Sequence, residues 1–432
     1  MLVGRAGRIG LGVEVKVGTS KELVKGTVAP AFEPVRHAFE ENFRKGLEDG
    51  AACAVYFRGE KVVDLWGGTR DPKTGAPWEE DTLVNVFSTT KGISSMALAV
   101  AHSRGLFDYD ERMATYWPEF AQGGKADVTV RQVLSHQAGL PAITEKMDLD
   151  VLADPDRVAA AIGKQEPAWE PGEHHGYHGI SLGWYESELL RRVDPERRTI
   201  GRFFAEEVAA PLGLDIHIGL PDSVDRDRIA PLQADLFALR MLFNIRKLPP
   251  AFVFGFLAPG SLTNRTFSNP AVLGQPKRYN DEDLRRIELP ASNGHASARD
   301  IAKAYGTFAI GGGPLGLTRE TLNALEQPAT APKKGSFDLV LRREMTFGLG
   351  YCKPSASFRF GSSPRAYGTP GAGGSFGFAD PDLQLGFAYV MNRMDFYLVQ
   401  DPRELALSRA AEACAAKLSA AEERAPAAAA GA

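Results

Sequence analysis

Ser88 and Lys91 stand three residues apart in Phe87-Ser88-Thr89-Thr90-Lys91-Gly92, a spacing that puts both side chains on one face of a helix. A serine hydroxyl is a weak nucleophile at its own pKa, and an amine within reach can take its proton. The amides of a first helical turn and the positive end of the helix dipole favour negative charge at the same place. The same residues also describe an ordinary helix N-cap, because serine is a preferred capping residue. S-x-x-K is common by chance, so its chemistry depends on what else the chain supplies.

Tyr177 lies in Pro171-Gly172-Glu173-His174-His175-Gly176-Tyr177-His178-Gly179, a Gly-flanked turn before the apolar run from Ile180. From such a turn a phenol can project into a cleft; with its hydroxyl satisfied it is plain core. His174, His175 and His178 crowd this loop, but on no helix face and with no carboxylate-rich partner, so neither a metal nor another cofactor is expected. A third stretch, Tyr367 to Phe378, is rich in glycine. It could bring backbone close to a ligand and aim an amide at it, or simply turn the chain between edge strands. Inside it, Gly373-Gly374-Ser375-Phe376-Gly377 matches G-x-S-x-G. That nucleophile elbow requires a following helix and a later histidine. Here a strand pattern follows and the last histidine is His295, so Ser375 is not expected to act as a nucleophile.

These stretches need elements to hold them. The approach to Ser88 over 81–86 is apolar and extended, and 93–102 is almost without charge, which suits a helix buried in a large core and ending near Arg104-Gly105. An amphipathic helix is expected over 34–47, with Val35, Phe39, Phe43 and Leu47 on one face. A hairpin follows over 51–58 and 61–66. The middle of the chain is irregular and helix-rich, with helices expected over 157–164, 183–193 and 200–210. The stretch 237–257 is rich in Phe, Leu and Met and is broken by Pro249-Pro250; it reads either as core or as a wall of an apolar acyl pocket. A helix is expected over 297–310, then antiparallel strands over 346–352, 357–360, 375–378 and 386–391, and a closing helix over 402–418. The expected organisation is a leader over 1–25, an α/β sheet domain built from 26–87 and 300–418, and a mainly helical domain over 88–299 with the Ser88 helix at the interface. The Ala-rich tail, 419–432, is expected to lack fixed structure.

The 432 residues exceed one ordinary core, so two domains or one elaborate domain are expected. A net charge of -4 over the whole chain gives no case for nucleic acid or an anionic membrane. Cys53, Cys352 and Cys414 are few and far apart, which suits a reducing compartment and makes neither a disulfide framework nor a zinc pattern. No signal peptide is expected, because the first 17 residues carry no continuous apolar run. No membrane span is expected either, since no stretch approaches about 20 apolar residues. A cytoplasmic location is the expectation.

Taken in order, the motifs resemble the serine β-lactamase and penicillin-binding-protein superfamily, in its class C-like esterase branch, the family VIII carboxylesterases. The resemblance rests on Phe87 to Gly92, on Val130-Arg-Gln-Val-Leu-Ser-His-Gln-Ala-Gly-Leu-Pro141, and on Trp169-Glu-Pro-Gly172 with Gly176-Tyr177-His178. It continues through Ala291-Ser-Asn-Gly294 and Gly371-Ala-Gly-Gly-Ser-Phe-Gly377, and covers about residues 30 to 415. It implies an α/β fold of the α+β type: a β-lactamase/transpeptidase-like antiparallel sheet flanked by helices, with an inserted, mainly helical domain. Ser88 would be the acylated nucleophile, Lys91 the general base or a partner in that task, and Tyr177 the acid/base that passes a proton to the leaving group. The amides of Ser88 and Ala372 would form the oxyanion hole, and Asn293, Gly371, Thr369 and His178 would bind substrate.

Two departures matter. Gly179 stands where the superfamily usually has Asn, and Thr369 stands where it has Lys or His. The missing cation argues against recognition of a substrate carboxylate and favours an ester. The expected function is hydrolysis of short- to medium-chain acyl esters, with a small-molecule ester as the partner. A β-lactamase or D-Ala-D-Ala peptidase, an acyltransferase and an inactive scaffold protein are the alternatives; intact Ser88, Lys91 and Tyr177 weigh against the last.

Overall fold

The computed structural model describes residues 24–235 and 237–429. The main sheet holds β1 (Val24–Val28), β2 (Gly50–Phe57), β3 (Glu60–Asp71), β4 (Tyr367–Pro370), β5 (Phe376–Asp380) and β6 (Leu385–Met391), in the order β1-β3-β2-β6-β5-β4. Every neighbouring pair is antiparallel, and the short Ala76–Pro77 strand adds to β3. The two ends of the chain meet at β2 and β6, where Ala51 pairs with Met391 and Phe57 with Leu385. β2 is small and apolar and buried along nearly its whole length, as a central strand covered on both faces must be.

Five helices position the site: α1 (Glu33–Arg44), α2 (Thr89–Ser103), α3 (Ser181–Val193), α4 (Ala298–Ala309) and α5 (Pro402–Ala429). Successive strand residues point to opposite faces. Ala52, Ala54, Ala388 and Val390 accordingly join the core that includes α4, while Ala51, Cys53, Val55 and Tyr389 join the one that includes α1 and α5. α4 lies close on the sheet because a Cβ on Gly386 would come within 2.1 Å of the Gly306 nitrogen. α2 packs between the sheet and α3, and every residue from Thr89 to Ala101 is buried. Leu83–Asn85 belongs to a small second sheet, antiparallel to Gly294–Ala296 and parallel to Ile229–Ala230.

Several elements differ from expectation. Most of the leader, residues 1–23, lies outside the described residues, and Val24 and Lys25 already belong to β1. The tail is helical further than expected: α5 runs to Ala429, through residues dominated by alanine, the strongest helix former. The strands expected over 346–352 and 357–360 are not formed. Gly350 adopts φ +79 and the Gly348 amide bonds the Tyr351 carbonyl at 2.8 Å, so the chain turns and leaves the isolated bridges Phe347–Cys352 and Ser355–Phe358. The glycine-rich stretch instead supplies the edge strand β4, which ends at Pro370, where a missing N–H is tolerated.

Candidate active site

The Leu83–Asn85 strand delivers Ser88 through a tight turn. Asn85 Oδ1 accepts the Phe87 amide at 3.1 Å and Asn85 Nδ2 donates to the Ser292 carbonyl at 3.3 Å. Phe87 adopts φ +45, a region that non-glycine residues rarely occupy and that concentrates at functional sites. The Thr90 hydroxyl donates to the Phe87 carbonyl and accepts the Gly294 amide at 2.8 Å. Ser88 occupies the N-cap position of α2, yet its side chain makes no capping bond. The capping alternative therefore fails. Lys91 Nζ instead reaches Ser88 Oγ at 3.1 Å.

Lys91 is 1% exposed, and its Nζ also donates to the carbonyls of Gly179 at 2.6 Å and Ala291 at 2.9 Å. Burial pulls its pKa from 10.5 to about 7, with the charge of Glu186 opposing. A neutral amine has two N–H bonds and one lone pair. With both N–H groups held by carbonyls, the lone pair is left facing Ser88.

Tyr177 hydrogen-bonds Ser88 through its side chain, and Lys91 Nζ sits 4.9 Å from its ring centre. The ring stacks on Phe347 at 6.3 Å and meets His136 at 5.1 Å. His136 Nδ1 accepts the amide of His178 at 3.0 Å, and buried Asp338 takes the Tyr177 amide. Burial raises the Tyr177 phenol above its ordinary pKa, opposed by the Ser88 hydrogen bond. It is thus a protonated phenol beside a lysine that is half neutral at pH 7.

The turn from β4 to β5 closes the site. Gly371 and Ala372 line one cavity of about 250 Å3 together with Ser88 and Tyr177. The turn is tied to the Ser88 turn by Ser375, whose buried hydroxyl donates to the Val86 carbonyl at 2.8 Å and lies 3.1 Å from Thr89 Oγ1. A Cβ on Gly371 would fall 2.2 Å from both Ser375 Oγ and the Val86 carbonyl oxygen, so only glycine permits that approach. Among the described residues no acceptor takes the amides of Ser88 or Ala372. Both residues line the cavity with their amide donors unspent.

Three residues expected to bind substrate lie behind the wall instead. Asn293 is spent on its own turn: Oδ1 accepts the Leu289 amide at 3.0 Å, and Nδ2 donates to the Leu284 and Ile287 carbonyls at 3.2 and 2.6 Å. His178 is fully buried and held near pKa 3 by burial. Its Nε2 accepts the Leu140 amide at 3.0 Å and its Nδ1 donates to the Gly176 carbonyl at 2.7 Å. Thr369 turns inward on β4, and its hydroxyl lies beneath Gly92 beside that of Tyr305. Of the four, only Gly371 lines the cavity.

The cavity walls are apolar. Met241, Leu248, Phe252 and Phe256 come from the 237–257 stretch, and Phe267, Tyr279, Leu341 and Phe396 complete them. No lysine or arginine is among the described lining residues, and Asp395, the carboxylate there, is paired with Lys247 at 2.6 Å. Glu186 was not anticipated. It is fully buried on α3, accepts a bond from Ser95 Oγ at 3.0 Å, and has its carboxyl pushed up to about 8 by burial. The signal was in the sequence: Leu182, Glu186 and Leu190 fall four apart, so a carboxylate interrupts an apolar row of one helix face.

Comparison with known proteins agrees with this geometry. The beta-lactamase family model matches residues 39–410. "Esterase/beta-lactamase LipL" of Mycobacterium tuberculosis is 35% identical over 387 residues, which cover 86% of this chain and 83% of that protein. "Esterase EstB" of Burkholderia gladioli is 32% identical over 351 residues, 77% of this chain and 80% of that one. A crystal structure of a family VIII carboxylesterase is 37% identical and covers 90% of this chain and 99% of its own, with a TM-score of 0.78. The chain belongs to the beta-lactamase family, in the esterase branch of the serine β-lactamase and penicillin-binding-protein superfamily, and is a serine ester hydrolase.

Proposed function

We propose that the protein hydrolyses short- to medium-chain acyl esters through an acyl-enzyme on Ser88. The observation that carries this reading is the 3.1 Å contact of buried Lys91 Nζ with a Ser88 hydroxyl that makes no capping bond. Neutral Lys91 takes the proton of Ser88 Oγ as the oxygen attacks the ester carbonyl. The carbonyl oxygen becomes negative between the amides of Ser88 and Ala372. Tyr177 gives its proton to the departing alkoxide oxygen, and the Lys91 ammonium restores the proton to Tyr177. In the second half, water yields a proton to the same pair and attacks the acyl carbon; the pair passes that proton to Ser88 Oγ as the acyl–oxygen bond breaks, which releases the acid and frees Ser88. Such acid–base groups contribute about 10²–10⁴-fold each, and one oxyanion donor about 10²–10³-fold.

The walls support an ester over a β-lactam. An apolar acyl chain fits the rings of Phe252, Phe256 and Phe267, whereas a carboxylate would find no cation among the described lining residues. A panel of p-nitrophenyl esters of increasing acyl length, with nitrocefin alongside, tests the reading. Esters of short and medium acyl length should turn over, nitrocefin should not compete with them, and Ser88→Ala should abolish turnover. Ser88→Ala within tenfold of the unchanged protein refutes the mechanism.

A further inference from the structure

The stretch that walls the cavity also has an outer face. Between residues 236 and 280 there is no aspartate or glutamate, while Arg240, Arg246, Lys247, Arg265, Lys277 and Arg278 all fall there, in a chain whose net charge is -4. Five of the seven exposed large apolar side chains in the described residues belong to this stretch: Leu239, Phe243, Ile245, Phe254 and Leu257, with Phe243 81% and Phe254 79% exposed. The distribution follows the helical period. On the Pro250–Leu257 helix, Phe252 and Phe256 turn into the cavity, while Phe254 and Leu257, three apart, share the outer side. That helix packs against the Leu262–Ser268 helix and the Ile245–Lys247 turn, so the outer side is one continuous surface. Arg246 and Arg265 are exposed on these elements and make no ion pair among the described residues, whereas Lys247 is neutralised by Asp395, Lys277 by Asp235, and Arg278 by Asp281 and Asp283.

We propose that this face docks on an anionic lipid surface and brings the cavity mouth to acyl esters held there. Exposed phenylalanines beside two unpaired arginines are the composition that interfacial proteins insert between headgroups, and the absence of any aspartate or glutamate within 236–280 leaves Arg246 and Arg265 free to meet acidic lipids. Each cation near such a surface is worth about 5-fold in partition. Because Met241, Leu248, Phe252, Phe256, Phe267 and Tyr279 of the same stretch line the cavity, a docked molecule would have its pocket wall at the lipid boundary. The whole-chain charge hid this, since acidic residues elsewhere outweigh the local excess. The docking stands on the surface alone; the choice of lipid-borne esters as substrate rests on the hydrolase reading above.

Co-sedimentation of the full chain with phosphatidylglycerol–phosphatidylcholine vesicles, against phosphatidylcholine vesicles, tests the docking. Ser88→Ala protein serves for binding, so lipid turnover does not interfere. Binding should require phosphatidylglycerol and fall with added salt. Arg246→Glu, a charge reversal, should weaken it about 30-fold, and Phe243→Ser with Phe254→Ser about 100-fold. Neither change should alter hydrolysis of a water-soluble ester, because none of the three residues lines the cavity. Absence of vesicle binding, binding indifferent to both variants, or a dimer that the phenylalanine variant dissolves without any vesicle binding overturns the docking. Vesicle binding that persists while soluble esters are not hydrolysed refutes the hydrolase reading alone.

Discussion

Hydrolysis should titrate with Lys91. Burial brings its pKa from 10.5 to about 7, so about half of the molecules carry the neutral amine at pH 7, about a tenth at pH 6 and about a hundredth at pH 5. If the amine is the base, kcat/KM falls about tenfold per pH unit below 7 and levels off above it. Glu186 opposes this lowering of the Lys91 pKa only through its charged form, and with its carboxyl raised to about 8 it is mostly protonated across the limb, so Glu186→Gln leaves the limb in place or moves it slightly to lower pH. The same shift has a consequence for stability. The folded-state pKa is the lower one, so between about 7 and 10.5 the unfolded chain binds a proton that the folded chain does not. Stability therefore rises with pH across that window and is lost as pH falls through 7. Glu186 acts oppositely, its carboxyl raised from 4.5 to about 8, and its contribution is lost as pH rises between those values. A Glu186→Gln background separates the two. In that background, the protein with Lys91 should gain about 2 kcal/mol relative to Lys91→Met between pH 7 and pH 9. Rates on a non-chromogenic ester in a pH-stat and urea midpoints at each pH supply the two readouts. A rate flat from pH 5 to pH 8, or a limb that moves up in Glu186→Gln, refutes the assignment of Lys91 as base.

Tyr177→Phe should lower kcat about 10²–10⁴-fold with little change in KM, and combining it with Lys91→Met should cost far less than the product of the two losses, since the residues act as a unit; steady-state kinetics of the three variants decide it. Ser375→Ala should leave labelling of Ser88 by a fluorophosphonate intact, but lower stability by about 0.5–1.5 kcal/mol because the buried Val86 carbonyl keeps the Thr89 amide and loses the Ser375 hydroxyl; mass spectrometry and thermal melting read the two effects. Gly92→Ala would place a Cβ 2.1 Å from the Tyr305 hydroxyl and 2.9 Å from Thr369 Oγ1. Despite the better helix propensity of alanine, it should destabilise by about 1–3 kcal/mol through overpacking and slow acylation by pushing on β4, seen as a lower Tm together with a lower kcat.

The pairing of Ser88 with Lys91 was legible in the sequence because it depends on residue type and helical spacing. Ser88 and Lys91 needed only one turn of helix, and the central hairpin β2–β3 needed only its apolar run and the Arg58-Gly59 turn. What the sequence could not state was direction. Asn293, His178 and Thr369 have side chains suited to a substrate, yet Asn293 and His178 spend theirs on backbone groups, as polar groups turned into the core do, and Thr369 turns its hydroxyl beneath Gly92. Strand periodicity over 346–352 was real but lost to Gly350, whose positive φ turns the chain before a ladder can form. The reverse happened at 367–370, where glycines suggested a turn and the pairing Tyr367–Ala379 through Pro370–Phe376 made a strand. Glu186 was readable and unread: one carboxylate in an apolar helical row.

The two departures from the superfamily pattern have a common physical sense. At Gly179 a Cβ would meet the Phe267 ring at 2.7 Å, so the space of the usual asparagine side chain is filled by a ring of the cavity wall. The residue still serves the site, because its carbonyl takes a Lys91 N–H at 2.6 Å, a contact that no side chain at 179 is required to make. At Thr369 the side chain turns beneath Gly92, and Pro370 lines the cavity next to Gly371. One change removes a polar amide and the other a cation, and in each place an apolar surface is left facing the substrate. The groups proposed to act on the carbonyl are untouched by either change: the Ser88 hydroxyl, the Lys91 amine and the two amides all lie on the α2 side and on the β4–β5 turn. Chemistry and recognition are therefore carried by different parts of the fold, and the walls can be rebuilt for a neutral, apolar ester without moving the catalytic atoms.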